Sequence, residues 1–432
     1  MLRDEFASRG LSPVITPGDY HELPPSIGTT FSFLDLAFMP PRRIRLRPLE
    51  LESGLSGLGA PDLVARRVEA DGPIWATRGF ALYRRSPGAD VFHFKEHLPC
   101  PRNAAALLRS AFVRSYLRKH DIVQPFWLAS GSLLVSSGGW LWRRAGDEGR
   151  FRQVFRLRFW GRGVGRGILH NGLVQLRSGR ILFGEYFRNN SHVPVRVYAS
   201  DDDGQNWWVI HELPAGRVRH IHALIEDPYS GDVWLCTGDL DHESFFARSS
   251  DDGHHFEIVG GGSQTWRTCC VLFTREYVYW GADTTKHVAH RNIYRLRRGK
   301  ITPESLQAVD GAVEFGVRLG EALLVFATTR FGYEDPADRS PRLWIGRESG
   351  PWHSFTLGRW SEALPGAAGK AHLCAADQGE HLVLSLMNLQ PHGGMLLVTS
   401  REAIARTCAA VVSLPRGSAS FAAPADPAGG AQ

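Results

Sequence analysis

The chain has 432 residues, of which 43% are hydrophobic and 22% are charged, and this balance supports a large folded core and excludes global disorder. Its net charge of +6 favours anionic partners, but the arginines are scattered and no nucleic-acid-binding motif occurs, so we expect no nucleic-acid partner. No stretch approaches the ~18 apolar residues of a membrane-spanning helix, so we expect no transmembrane segment.

The amino-terminal segment, residues 1–59, is rich in proline and irregular, and we expect it to pack on the following domain or to close it. It begins MLRDEFASRG, without the apolar run of a secretory leader. The six cysteines have no CxxC spacing. These two features predict a reduced, cytoplasmic protein. At the other end, residues 415–432 are rich in Ala, Gly, Pro and Ser and predict a flexible tail.

Two similar units recur in the middle of the chain. Residues 198–208 read YASDDDGQNWW and residues 247–256 read ARSSDDGHHF, and both fit Ser-x-Asp-x-Gly-x-x-aromatic. The aspartates of the two motifs, Asp202 and Asp251, are 49 residues apart, which suits one blade of a propeller. The Ser and Asp side chains are expected to cap the NH groups of a turn in which glycine takes a positive φ.

This motif resembles the Asp box of sialidases and related BNR-repeat propellers. The resemblance implies an all-β fold, a β-propeller of four-stranded blades, over residues 60–414. Related units of strand, Gly/Asp turn and aromatic strand continue on both sides, and their number favours seven blades, with six also open. Residues 103–119 carry apolar residues at helical spacing and predict a small helix inserted near the rim.

The order of strands in a blade predicts where functional side chains gather. The loop before the innermost strand and the loop between the second and third strands lie at the same end of the blade. Applied to the consecutive units, this rule predicts a site at the mouth of the central channel. Its candidate residues, in chain order, are His170, Glu185, Tyr186, Arg219, His220, His222, Asp239, Trp266, Arg267, Asp283, Arg330 and Tyr333.

His220 and His222 are two residues apart on a predicted strand, so both imidazoles project to one face and can share a metal ion or a substrate carboxylate. A metal site would need further ligands, for which His170 and Asp239 are the first candidates. The alternative is one hydrogen-bonded histidine within the strand and one in contact with solvent. We therefore predict no cofactor, and we leave a divalent metal open.

Arg219 and Arg267 precede neighbouring inner strands and would clamp a carboxylate or phosphate, or form salt bridges that stiffen the rim. Glu185 and Asp239 are a candidate acid and base for glycoside hydrolysis. Together these residues favour a glycoside hydrolase that acts on an acidic, carboxylate-bearing sugar, and the predicted partner is an acidic oligosaccharide or polysaccharide.

The resemblance to sialidases implies specific roles for some of these residues. It matches Arg219, Arg267 and Arg330 to three arginines that bind the substrate carboxylate. It also implies Tyr333 or Tyr186 as the nucleophile, with Glu185 assisting. The chain lacks the Arg-Ile-Pro motif that opens the sialidase pattern, since PRRIRLRP at 41–48 has no proline after Arg-Ile. The expectation is accordingly a glycan-active enzyme rather than a sialidase specifically.

Two further functions fit the same residues. A polysaccharide lyase neutralises the carboxylate of a uronic acid with a cation while a base removes the adjacent proton, and His220, His222, Arg219, Arg267 and Tyr186 suit that chemistry. A propeller without catalytic activity would bind a glycan or a protein through its aromatic and basic rim. The sequence leaves these alternatives open, together with the oligomeric state.

Overall fold

The structure is a computed structural model that describes residues 40–70, 72–99, 123–147, 149–160, 165, 167–284, 286–331, 339–360, 368–377 and 379–413. The predicted helix at 103–119, the candidate Tyr333, the tail 415–432 and residues 1–39 of the amino-terminal segment lie outside these ranges. Within them no helix is long and apolar enough to cross a membrane.

The described chain forms a seven-bladed β-propeller of antiparallel sheets with at least four strands each, which confirms the predicted fold class and the preferred blade number. Three strands come before the first blade: β1 (Arg43–Arg45), β2 (Arg47–Glu50) and β3 (Ser56–Pro61). Blade one then contains β4 (Val64–Val68), β5 (Ile74–Arg78), β6 (Ala81–Arg85) and β7 (Val91–His97). Blade two contains β8 (Val123–Trp127), β9 (Leu133–Ser137), β10 (Trp140–Arg144) and β11 (Arg152–Arg156).

The next four blades repeat this order. Blade three contains β12 (Leu173–Gln175), β13 (Ile181–Gly184), β14 (Val195–Ser200) and β15 (Trp208–Leu213). Blade four contains β16 (His220–Glu226), β17 (Val233–Gly238), β18 (Phe245–Ser249) and β19 (Glu257–Gly261). Blade five contains β20 (Val271–Phe273), β21 (Tyr277–Gly281), β22 (Asn292–Arg297) and β23 (Glu304–Ala308). Blade six contains β24 (Ala312–Leu319), β25 (Leu323–Thr329), β26 (Arg342–Gly346) and β27 (Trp352–Thr356).

The last blade combines the two ends of the described chain. The remaining strands are β28 (Arg359–Trp360), β29 (Lys370–Ala375), β30 (His381–Met387), β31 (Leu389–Gln390) and β32 (Met395–Ser400). The sheet of blade seven has the order β2-β3-β32-β30-β29, and β1 pairs with β7 in blade one. Strands from the start of the described chain therefore complete the sheet of the last blade and extend that of the first, so the ring is closed by backbone hydrogen bonds that leave short edges.

Short helices complete the fold. In the described residues, three 3-10 helices span Asp241–Glu243, Gln264–Trp266 and Val288–His290, and one α-helix, α1, spans Arg401–Ser413. The sequence analysis did not predict α1. It contacts β3 and β32, and its Ile404 is buried in the core of blades six and seven. The helix therefore covers the sheet in which the ring closes.

Burial explains why the second strand of each blade is so apolar. In β17, VWLCTG, and β13, ILFG, every residue is buried, whereas β15 on the outer edge has exposed and half-buried residues. Strands buried on both faces read as continuous apolar runs. Side chains of adjacent blades interleave between these strands; Trp234 and Phe246 of blade four, for example, pack with Trp280 of blade five. The core thus lies between the blades around the ring.

The two Ser-x-Asp-x-Gly motifs form equivalent turns between the third and fourth strands of blades three and four. Ser200 Oγ and Ser249 Oγ each accept a hydrogen bond from a glycine NH, in both cases at 2.9 Å. Asp202 and Asp251 accept backbone NH groups further along each turn. Gly253 has a φ of +90°, a conformation that favours glycine. The motif therefore specifies a self-contained turn.

Candidate functional site

The candidate site lies at one end of the ring, where blades four and five adjoin. His220 opens the first strand of blade four, and Asp239 directly follows its second strand, β17. Arg267 precedes the first strand of blade five, and Asp283 follows its second strand closely. These four positions belong to the same end of the two blades, and backbone register brings His220 opposite Gly238. The order of strands therefore gathers residues that are up to 63 positions apart in sequence.

A β-bulge orients the second histidine of the pair. In the register of β16 and β17, Ile221 pairs with Thr237 and Ala223 pairs with Cys236, so His222 is the extra residue. A bulge at this point re-aims a side chain. The Nε2 atoms of His220 and His222 consequently lie 3.1 Å apart, and the two rings are stacked at 26°. Both histidines are buried.

Backbone carbonyl groups hold the opposite side of each imidazole. His220 Nδ1 is 2.8 Å from the carbonyl oxygen of Phe187, and His222 Nδ1 is 3.2 Å from that of Thr268. A carbonyl oxygen only accepts hydrogen bonds, so these contacts assign the proton of each neutral ring to Nδ1. The Nε2 atom of each ring then faces the other ring and Asp239; it carries a lone pair when the ring is neutral and a proton when the ring is charged.

Asp239 is the carboxylate at the centre of the cluster. Its oxygens lie 3.7 Å from Nε2 of His220 and 3.6 Å from Nε2 of His222. Two guanidinium groups approach it from adjacent blades, Arg267 at 3.0 Å and Arg219 at 3.4 Å. The side chains of these two arginines are 22% and 32% exposed, so the cluster opens to solvent on the arginine side.

The protonation of the cluster follows from burial and charge. Burial, together with the neighbouring His222 and against the attraction of Asp239, lowers the pKa of His220 to about 4. Burial by itself would raise the pKa of Asp239, but His222, His220 and Arg267 outweigh it, so this pKa lies well below its usual range. At neutral pH His220 is therefore uncharged and Asp239 is ionised.

A second group of polar atoms lies on the far side of His222. Cys269 Sγ is 3.7 Å from Nδ1 of His222 and 3.5 Å from Oδ2 of Asp283. Arg267 Nε is 3.5 Å from the same Asp283 oxygen, so one arginine touches both aspartates. Burial raises the pKa of Asp283, against the influence of Arg267, and it also raises the pKa of the Cys269 thiol well above its usual range. The Cys269 thiol is therefore protonated at neutral pH.

Tyr186 covers the histidine pair. Its ring centroid is 4.3 Å from that of His220 and 6.2 Å from that of His222. Burial lowers the pKa of Arg267, but Asp283, Asp239, Cys269 and the phenol of Tyr186 outweigh it and raise this pKa. Tyr186 therefore packs against the imidazoles and interacts electrostatically with the guanidinium group of Arg267.

Glu185, the residue before Tyr186, is engaged elsewhere. Its carboxylate receives two hydrogen bonds from Arg158, at 2.9 and 2.7 Å, and one each from the Arg196 backbone NH and the Tyr198 hydroxyl. Burial raises the pKa of Glu185, and Arg158 opposes that shift. The structure therefore uses this carboxylate in an ion pair, away from the cluster around Asp239.

Three more predicted residues also lie outside the cluster. Trp266 is buried and stacks on Trp280, with ring centroids 5.5 Å apart. Arg330 pairs with Asp310 at 3.3 Å. His170 of blade three contacts the rings of Phe315 and His372 at 4.7 and 5.5 Å. Since the last two residues belong to blades six and seven, this contact bridges the central channel, and His170 therefore belongs to a plug in the channel.

Sequence reasoning missed residues that position the cluster. Glu243 is fully buried, accepts the backbone NH groups of Asp239 and Leu240 at 3.1 and 3.3 Å, and pairs with His192. It fixes the loop that carries Asp239. Cys269 was not singled out as a site residue, although it follows Arg267 by two positions. For Glu243 and Cys269, the signal that the sequence offered was their short distance along the chain from Asp239 and Arg267, two predicted site residues.

Among the residues that the structure describes, two groups of side chains have the ligand types and spacing to hold a metal ion. One comprises His220, His222 and Asp239, and the other comprises His222, Cys269 and Asp283; in each, the candidate ligand atoms lie within 4.8 Å of one another. The first group includes three of the four metal candidates predicted from sequence. The fourth, His170, is in the plug described above.

Comparison with known proteins identifies the architecture. No protein-family model matches the chain, and no curated protein matches it significantly. Among solved structures, an oligogalacturonate lyase in complex with manganese is similar with a TM-score of 0.52 and 11% identity, over 84% of this chain and 97% of that one. U3-55K matches with a TM-score of 0.46 and 12% identity, over 82% and 98%. At these identities the likeness concerns the fold.

Proposed function

We propose that this propeller is an enzyme that cleaves an acidic sugar polymer or oligomer by β-elimination at a uronate residue. The observation that carries the proposal is the convergence of Arg219, Arg267 and Tyr186 on the cluster formed by Asp239 and the buried histidine pair. Recognition of a carboxylate and transfer of a proton need these groups side by side.

Carboxylate recognition is assigned to the two arginines. Both guanidinium groups already face a carboxylate, that of Asp239, and both remain partly exposed. The contact of Arg219 is the longer one, at 3.4 Å, so this group is the more readily shared with a substrate. Planar guanidinium groups match the geometry of a carboxylate. The net charge of +6 adds a general attraction for acidic polymers.

The proposed reaction starts once this contact has neutralised the substrate carboxylate. A base then removes the proton on the carbon next to the carboxylate, the electron pair forms a carbon–carbon double bond, and the bond to the glycosidic oxygen breaks. The departing oxygen takes up a proton. We assign removal of the first proton to Tyr186, because its ring lies over His220 and its phenol lies close to Arg267. A neighbouring cation favours the phenolate form that acts as the base.

The name of one structural neighbour fits this reaction. The oligogalacturonate lyase cited above has this fold over 97% of its length. At 11% identity the likeness carries no residue roles, so the proposal depends on the side chains of this chain. Membership in the sialidase-like group remains an expectation from the Ser-x-Asp-x-Gly motifs.

Glycoside hydrolysis is the second candidate, because one observation favours it. Hydrolysis needs two carboxyl groups that flank the glycosidic bond. The predicted partner of Asp239, Glu185, is held by Arg158, but Asp283 shares Arg267 with Asp239. In a hydrolase, the two catalytic carboxyl groups would therefore be those of Asp239 and Asp283, and not those of the predicted pair Asp239 and Glu185.

A glycan panel tests the proposal. The protein is incubated with several polyuronates and with neutral polysaccharides, and the products are followed by ultraviolet absorbance and mass spectrometry. We expect cleavage of at least one polyuronate, with an absorbing unsaturated end and no cleavage of neutral chains. Matched uronate methyl esters, which lack the negative charge, should be poor substrates. If polyuronates bind but stay intact, the protein is a glycan-binding propeller and not an enzyme. If they are neither bound nor cleaved, the carbohydrate assignment is overturned.

A further inference from the structure

Three potential metal-ligand atoms, two imidazole nitrogens and a carboxylate oxygen, converge at the histidine pair. Each imidazole uses its Nδ1–H toward a backbone carbonyl, of Phe187 or of Thr268. The two Nε2 atoms face one another at 3.1 Å, and the oxygens of Asp239 lie 3.6–3.7 Å from them. Lone pairs at these distances repel one another unless a proton or a metal cation lies between them.

From this geometry we infer that His220, His222 and Asp239 form a binding site for one divalent first-row transition-metal ion. Metal–nitrogen and metal–oxygen bonds of ~2.0–2.2 Å place ligand atoms roughly 3.0–3.5 Å from each other. The distance between the two nitrogens lies in this range, and the oxygens need a shift of only a few tenths of an ångström. Two imidazoles with one carboxylate favour ions such as Zn²⁺, Mn²⁺ or Fe²⁺ over Ca²⁺ or Mg²⁺.

The surroundings match those of a metal site with an open position. Histidine ligands commonly donate their second NH group to a backbone carbonyl, which fixes the ring and the tautomer; both histidines do so here. Arg267 and Glu243 bond to Asp239 and its backbone and hold the carboxylate in place. Three protein ligands leave at least one coordination position for a ligand. That position would face the exposed side of the cluster, where the arginines lie.

The backbone around the β-bulge in β16 also holds the two histidines in place. His222 is the residue of β16 without a partner in β17, and its Nε2 lies 3.1 Å from that of His220. A second bond network, from Thr268 and Cys269, holds the other side of the ring. Both histidines are thus fixed in position before any ion binds. Such preorganisation lowers the cost of binding.

Titration with Co²⁺ tests this site directly. The protein is purified without a polyhistidine tag, stripped with a chelator and titrated while its visible absorbance is recorded. We expect one Co²⁺ per chain, with absorption bands of nitrogen ligation that Zn²⁺ displaces. The variants Asp239→Asn and His220→Ala should weaken binding by at least about 10- to 100-fold. Asp239→Asn preserves the shape of the side chain, so it tests the ligand even if the histidine variant fails to fold.

The matched control is His255→Ala, which removes a histidine that is 88% exposed and paired with Asp251 on a blade turn. It should bind Co²⁺ like the unaltered protein. If Co²⁺ does not bind, or if Asp239→Asn binds it as tightly as the unaltered protein, the inferred metal site is wrong. The short contact between the two Nε2 atoms would then be explained by a proton shared between the rings. Metal binding does not depend on the proposed elimination. If the protein binds Co²⁺ but cleaves no polyuronate, the inferred metal site is supported and the proposed function is wrong.

Discussion

Arg267→Ala is expected to lower the rate of polyuronate cleavage by about 100- to 1,000-fold, the range found when one donor to a developing negative charge is removed. Arg267 is the one described arginine that touches both Asp239 and Asp283, at 3.0 and 3.5 Å. Its loss removes a donor for the substrate carboxylate and brings two aspartates together without their shared cation. We therefore expect kcat to fall more than KM rises, as measured by initial rates on the polyuronate that the panel identifies.

Two further variants separate this effect from general damage. Arg267→Lys keeps the positive charge but lacks the planar fork, so it should remain folded and retain an intermediate activity. Arg248→Ala removes a half-exposed arginine on β18 that pairs with Asp232, and it should cleave normally. If Arg267→Ala cleaves as fast as Arg248→Ala while both are folded by circular dichroism, Arg267 has no part in the reaction.

Arg298→Ala is expected to lower the free energy of unfolding by about 3–5 kcal/mol, the cost of leaving a buried charge without its partner. Asp227 follows β16 and is fully buried. Arg298 of blade five pairs with both of its carboxylate oxygens and also donates to the carbonyl oxygen of Thr274. The pair therefore joins blades four and five at the end opposite the candidate site. Urea denaturation measures the change.

Arg196→Ala is the matched control for this prediction. Arg196 also pairs with a carboxylate, that of Glu212, but the two side chains are 35% and 41% exposed. Exposed pairs contribute less than about 1 kcal/mol. The double variant Asp227→Asn with Arg298→Ala should lose less than the sum of the two single variants, because it leaves no unpaired charge. Equal losses for Arg298→Ala and Arg196→Ala would contradict the role given to the buried pair.

The fold was largely predictable because its signals are local. The two Ser-x-Asp-x-Gly turns need only residues within a few positions of each other, such as Ser249 and Gly253. Buried strands such as β17 read as apolar runs bounded by turns. The helix α1 was missed because its apolar residues follow directly on those of β32, and its place depends on the sheet that the distant strands β2 and β3 complete.

The candidate site was predictable at the level of strand ends and less so at the level of single side chains. Knowledge of the blade order was sufficient to bring His220, Asp239 and Arg267 together. Glu185 and Tyr186 are adjacent at the end of β13, and consecutive side chains in extended chain point to opposite faces. The sequence could not tell which of them meets the histidines. Which of the two side chains meets the histidines depends on Arg158, because it forms an ion pair with Glu185.

Long-range partners explain the rest of the difference. The tautomers of His220 and His222 are set by the carbonyl groups of Phe187 and Thr268, which lie 33 and 46 residues away. His170 was predicted to bind substrate, but Phe315 and His372 reach it across the channel. No pattern within one blade reveals such contacts, because they depend on the order and tilt of blades around the ring.

The identity of the bond that is broken tests the account most directly. The polyuronate identified by the panel is cleaved in oxygen-18-labelled water, and the products are weighed by mass spectrometry. Elimination predicts that no label enters the products when they are analysed before slow exchange, and that the masses of each pair of fragments sum to that of the parent chain. Fragments that together gain one labelled water would contradict the elimination and establish hydrolysis instead.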